Sequence, residues 1–175
     1  MIVVILRFGL VWLGFSACLL MTVTDANLRY LRTVAFSAQR TQRVPATSPE
    51  GTIGLYGRMV RPDANHFDSD SGVFTVPIKG VYAFAFTFHQ ELSAGPAPPT
   101  AVKLVRESSD RSVKTDVVTT EGPWAPAAGR AISVPGASVL LELDKDDQLY
   151  LVTSNPVDAG DNQPISFSGY LLTRL

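Results

Sequence analysis

Few side chains in this sequence are placed for bond-breaking chemistry. His66 and His89 are the only histidines, they sit in different segments, and neither has partners at the spacing a tetrahedral metal site needs, which argues against zinc. Serine stands beside aspartate in Ser69-Asp70-Ser71 and Ser108-Ser109-Asp110, but neither stretch has the Gly-x-Ser-x-Gly form that lifts a nucleophile onto a sharp turn. No glycine-rich phosphate cradle is present. The distinctive residues are strand and turn formers, so the chain reads as a non-enzyme.

Recognition chemistry is better supplied. Asp144-Lys145-Asp146-Asp147 puts three carboxylates into one short turn, where Asp144, Asp146 and Asp147 could offer oxygen ligands to calcium or simply face water in a hairpin. The order is not that of an EF-hand. Arg106, Arg111, Lys114 and Arg130 could form an anion-binding surface if their loops converge, which would suit acidic glycans, lipopolysaccharide or phosphorylated surfaces; the same spacing is also that of an ordinary solvated surface. Trp124, in a Gly-Pro-rich loop, is either an exposed contact residue or an anchor packed on the end of the domain.

Composition narrows the setting. A length of 175 residues allows one domain with a core of its own, and 46% hydrophobic with 18% charged residues is ordinary for a globular chain. A formal net charge of -1 gives no footprint for nucleic acid. The run from Ile2 to Val23 is almost wholly apolar and gives way to Thr24-Asp25-Ala26-Asn27, where Thr24 and Ala26 fit the small positions of a cleavage site. Residues 1–26 therefore read as a signal peptide, and 27–32 as a short leading segment of a secreted, extracellular protein with no membrane span after cleavage. A cut after Ala17, or an uncleaved signal anchor, is the alternative. The only cysteine, Cys18, lies inside the apolar run, so the mature chain has no disulfide, and its stability must come from packing or from assembly.

The elements that must position these residues are strands. Beyond residue 32 short β-branched and aromatic runs alternate with turn residues, and no 3.6-residue apolar period is sustained. The reading is all-β, with strands at Val34–Arg40, Thr52–Val60, Val73–Val76, Val81–Gln90, Ala101–Arg106, Ser112–Thr119, Arg130–Val134, Ser138–Leu143, Leu149–Thr153 and Ile165–Arg174. In Val81–Phe88 the bulky Tyr82, Phe84, Phe86 and Phe88 share one face, and Val81, Ala83, Ala85 and Thr87 the other. A small outward face suits close approach by a second subunit or cover from a loop of the same chain.

The order of motifs resembles the globular head of the complement C1q and tumour-necrosis-factor superfamily. VAFSAQRT at 34–41 is similar to its opening strand, FDSDSGVFTVPIKGVYAFAFTF at 67–88 to its signature, ASVLLELDKDDQLYL at 137–151 to its paired strands around an acidic turn, and ISFSGYLLTRL at 165–175 to its closing strand. The resemblance covers residues 33–175. Within it, Phe36, Phe74, Tyr82, Phe84 and Phe167 read as core or interface aromatics, Gly72 and Gly80 as turn glycines, Pro77 as a fixed angle between strands, and Gly169 as a point of close contact. It departs in Val76, where many relatives have cysteine, in Leu149-Tyr150 for a common Val-Trp, and in lacking a Gly-x-y repeat before the head, hence a collagen stalk.

The resemblance implies a jelly-roll sandwich of two antiparallel sheets with about ten strands. It also implies assembly as a homotrimer, or a heterotrimer with related chains. It points to a non-enzymatic secreted recognition protein that binds microbial or cell-surface ligands, lectin-like and of the innate-immune kind, with glycan, polyanion or protein receptor as partner. Calcium is the one cofactor it allows. The alternative is a secreted signalling ligand, adipokine- or synaptic-organiser-like, for a cell-surface receptor.

Overall fold

A computed structural model of the protein describes residues 34–45, 51–61, 66–93, 99–124, 126–153 and 155–175. The segments read as a signal peptide (1–26) and leading segment (27–32) lie outside the described residues, as do most of the loops at Pro45–Gly51 and Gly95–Pro99. Among the described residues every regular element is a strand: β1 Ala35–Arg40, β2 Gly51–Thr52, β3 Arg58–Arg61, β4 Phe67–Asp68, β5 Val73–Thr75, β6 Gly80–Thr87, β7 Gln90–Ser93, β8 Ala101–Glu107, β9 Lys114–Glu121, β10 Arg130–Ser133, β11 Gly136–Leu143, β12 Gln148–Thr153 and β13 Ile165–Arg174.

The strands form a sandwich of antiparallel sheets. One runs β11-β6-β13-β1-β3 and the other β4-β5-β12-β8-β9, with β2 added on β12, while β7 and β10 form a separate pair. First and last strands lie side by side, Phe36 opposite Gly169 and Ala38 opposite Phe167. The inner face of the first sheet contributes Phe36, Tyr82, Phe84 and Phe167, and the second contributes Phe67, Phe74, Leu104, Leu149 and Leu151. Phe36 joins the two: it stacks on Phe67 at 4.4 Å and on Phe74 at 5.0 Å, and meets Phe167 edge-on at 5.0 Å. Each such ring stabilises the fold by about 1.5–3 kcal/mol through burial alone, which is how the domain holds without a disulfide.

The sandwich of antiparallel sheets is the expected fold, with thirteen strand segments among the described residues, the two-residue β2 and β4 included; two details differ from the expectation. The run read as one strand from Thr52 to Val60 is broken because Leu55 takes a positive φ of 57° between Gly54 and Tyr56, and Phe67–Asp68 is a short strand the sequence did not announce. Gly72 does serve a turn, at φ 74°, but Gly80 begins β6, where a Cβ would come within 2.5 Å of the Thr173 carbonyl oxygen. Gly80 permits a close approach of strands rather than a turn.

Candidate recognition surfaces

Three parts of the surface follow from this frame. The first is the outer face of the β11-β6-β13-β1-β3 sheet. Leu140, Ala83, Tyr170 and Ala35 form one rung across it, and Ser138, Ala85, Ser168 and Ser37 the next. Small residues in the second rung leave the backbone open to close approach. In the first, Leu140 at 64% exposure and Tyr170 at 50% stand on either side of Ala83, leaving a shallow hollow between them. No loop of the described chain covers Ala85, Thr87, Leu140 or Tyr170, so the same-chain cover considered for this face is absent there.

This face borders an open seam. β11 and β9 are the outermost strands of their sheets and touch one another, and Val117, Val118, Val139 and Leu141 are packed on the core there yet only partly buried. Two apolar patches of different shape thus meet along β11.

The second surface is the end of the sandwich built by the Asp144–Asp147 turn and the β8–β9 hairpin. Asp147 is 2% exposed; Arg106 Nη2 lies 2.6 Å from its Oδ2, and the backbone N–H groups of Ser109 (3.2 Å) and Asp144 (3.1 Å) donate to its carboxylate. Asp144 pairs with Lys79 at 3.0 Å, and Asp146, exposed at φ 69°, lies 3.6 Å from Lys145. The three carboxylates that could have offered ligands to calcium are each engaged by a cation, Asp144 and Asp147 sharing Arg106 at 3.9 and 2.6 Å, and among the described residues no group of three His, Cys, Asp or Glu side chains is arranged to hold a metal ion. In the hairpin itself Asp110 accepts from the Ser108 and Ser112 hydroxyls (2.6 and 2.7 Å) and from the Ser112 amide, and these bonds hold its carboxyl down to about 2. Arg111 projects from the same turn at φ 58°, and Lys114 lies 5.6 Å above the Tyr150 ring. Burial, and the hydrogen bond Tyr150 donates to Glu107 at 3.0 Å, push the Tyr150 phenol up to about 12.

The structure brings Arg106, Arg111 and Lys114 to this end but not Arg130, which starts β10 at the opposite end and pairs with Glu91. Arg130 is thus separated from the other three cations. The third part of the surface is the connection from β9 to β10, which holds Trp124 and ends at Arg130. Its base is fixed where Gly122 donates its N–H to Thr100 O at 2.9 Å and lies against the Gln90 side chain. Trp124 is 74% exposed, so it is not the packed anchor that was the alternative, and Ile132 beyond it is exposed as well.

Sequence comparison and fold comparison agree on what carries these surfaces. Residues 35–172 match the family model described as the C1q domain. The chain belongs to the C1q domain family. Its fold matches the globular domain of zebrafish complement 1qA (TM-score 0.60, 18% identity, covering 81% of this chain and 98% of that one). It also matches murine APRIL in two crystal structures (TM-scores 0.61 and 0.59, 7% and 8% identity, each covering 81% of this chain and 100% of the other). C1q domains are typically non-enzymatic binding modules of generally extracellular proteins, which supports a ligand-binding or recognition role for this chain. No helix among the described residues is long and apolar enough to cross a membrane. Phe36, Phe74, Tyr82, Phe84 and Phe167 of the C1q domain are all core residues, so none is free to touch a ligand, and Pro77 lies between β5 and β6. Sequence reasoning overlooked Leu140 and Tyr170, whose significance appears only when the strand register sets them on one rung.

Proposed function

We propose that this C1q domain protein is a secreted recognition protein that works as a trimer and binds microbial or cell-surface ligands, acidic glycans among them, through its exposed ends. The observation that carries this reading is the pairing of the Leu140-Ala83-Tyr170 face with the β9/β11 seam. The patches differ, so copies join head to tail rather than patch to patch, and such a contact closes into a ring when the rotation per copy allows. Three weak ligand sites on one ring bind a multivalent surface far more tightly than one site does.

Light scattering on the secreted protein tests the assembly. The wild type is expected at three times the chain mass and Ala85→Arg, which puts a charge on the small rung, as a folded monomer; a monomeric wild type overturns the reading. The exposed Trp124 favours a second reading, a signalling ligand for one protein receptor, because tryptophan is enriched at protein hot spots. A glycan array run beside a cell-surface receptor screen separates them: broad binding to sugars or polyanions supports recognition, one saturable protein partner supports signalling.

A further inference from the structure

Gln90, the first residue of β7, turns its side chain into the domain and is 5% exposed, as is Thr100 just before β8. Its amide lies between two fixed points. On one side Nε2 donates to Thr100 Oγ1 at 3.2 Å, and that hydroxyl donates to Pro156 O at 3.3 Å. On the other side the amide rests on Gly122, where a Cβ would come 2.7 Å from Gln90 Cδ and would strike Oε1 outright. Gly122 in turn donates its N–H to Thr100 O at 2.9 Å. Separate stretches of the chain, at 90, 100, 122 and 156, thus close on one buried amide.

Packing alone does not account for a glutamine there. Oε1 has no hydrogen-bond partner among the described residues, and turning the amide over would only exchange the atom left against Gly122. A buried polar atom without a partner lowers stability, and methionine would fill a similar volume without that cost. What the amide does that methionine cannot is tie two segments together: it bonds Thr100 and lies against Gly122.

The residues that follow Gly122 give this contact a consequence. Each residue brings two soft backbone torsions. Those of Gly122 are held by its bond to Thr100 and by Gln90, and the ring of Pro123 locks its own φ. Only ψ of Pro123 and φ of Trp124 remain between the buried anchor and a side chain that is 74% exposed. An aromatic on so short an arm meets a ligand with little ordering left to do. We infer that Gln90 is a positioning residue of the recognition surface, its amide and Gly122 forming a catch that fixes the direction in which Trp124 is presented. The inference rests on the reading of Trp124 as a contact residue, but the catch is measured without any ligand.

Tryptophan occurs twice in the sequence, so the secreted protein labelled isotopically on tryptophan gives at most two backbone amide signals, and Trp124→Phe shows which belongs to Trp124. In the wild type its order parameter from nuclear magnetic relaxation is expected at about 0.85, that of rigid backbone, falling below about 0.6 in Gly122→Ala and in Gln90→Met. Alanine is stiffer than glycine, so greater mobility after Gly122→Ala comes from the lost catch and not from the new residue. Gln90→Met removes the Thr100 bond together with the unpartnered atom, and should keep the wild-type unfolding midpoint or raise it. A wild-type value below about 0.6, or one that both variants leave unchanged, overturns the inference. So does a Gln90→Met protein that loses stability while its Trp124 signal stays as it was, because Gln90 is then an ordinary structural residue. Loosening in both variants, with full affinity in Trp124→Ala for the ligand found by screening, supports the catch and removes only the contact reading.

Discussion

Phe84 occupies the space that a side chain at Gly169 would need. The two face each other across the β6–β13 pair, and a Cβ at 169 would lie 2.6 Å from Cδ1 and Cε1 of Phe84 and 2.7 Å from Cε1 of Phe36. Both rings are locked in the aromatic core, so neither can swing aside cheaply. Gly169→Ala is expected to destabilise the domain by about 1–3 kcal/mol, the usual range for overpacking. Gly57→Ala, which meets nothing within 4 Å, should change stability by less than about 0.5 kcal/mol. Urea denaturation of the three proteins decides this, and equal midpoints would show that the aromatic core yields more easily than its packing implies.

Arg106 neutralises the buried Asp147 and lies within 3.9 Å of Asp144, while the exposed Asp146 has only its neighbour Lys145. Arg106→Gln leaves a carboxylate with only two backbone donors in a dry site. A loss of about 2–4 kcal/mol is expected, bounded by the 3–5 kcal/mol of a fully buried pair because Arg106 keeps some contact with water. Asp146→Asn should cost under about 0.5 kcal/mol. Thermal unfolding in calcium and in chelator is expected to shift Asp146→Asn and wild type alike. A calcium effect present in the wild type and lost in Asp146→Asn would restore the turn as a metal site.

Tyr150 and Asp110 contribute to the pH dependence with opposite signs. Tyr150 has a folded value of about 12, above the ordinary 10, so the folded state holds its proton longer. That contribution is complete below pH 10 and is lost as pH rises from 10 to 12. Asp110 has a folded value of about 2, below the ordinary 3.8, so its contribution is complete above pH 4 and is lost as pH falls toward 2. Tyr150→Phe is expected to flatten the alkaline decline of the unfolding midpoint, and Asp110→Asn the acid decline of hairpin protection in hydrogen exchange. An unchanged slope in either variant removes that residue from the pH response.

The fold was legible because period-two patterning reports burial directly. Tyr82, Phe84 and Phe86 alternate with small residues, and that alternation is the two faces of β6. What stayed hidden depends on register and on distant partners. Nothing local distinguishes Asp147 from Asp146; one becomes buried because β8 carries Arg106 past it, and the other takes a left-handed turn position in water. Nor does spacing reveal that Arg130 stands at the far end from Arg106, since that follows from β10 pairing with β7. The break at Leu55 escaped notice because a non-glycine residue at positive φ carries no signal of its own.

Trp124 offers the sharpest test of ligand binding, because its exposure separates function from folding. A side chain that meets mostly solvent contributes little to stability, so Trp124→Ala should keep the wild-type unfolding midpoint and the wild-type assembly mass. If its ring is the anchor of the recognition surface, binding to the glycan or receptor found by screening should weaken by about 2 kcal/mol, roughly thirtyfold. Arg130→Ala, across the same connection but already tied to Glu91, should weaken it less. Surface-based affinity measurements on all three proteins, each first shown to have the same mass in solution, give the answer. Full affinity in Trp124→Ala moves the ligand to the Arg106, Arg111 and Lys114 end, where Lys114→Ala becomes the variant that must fail.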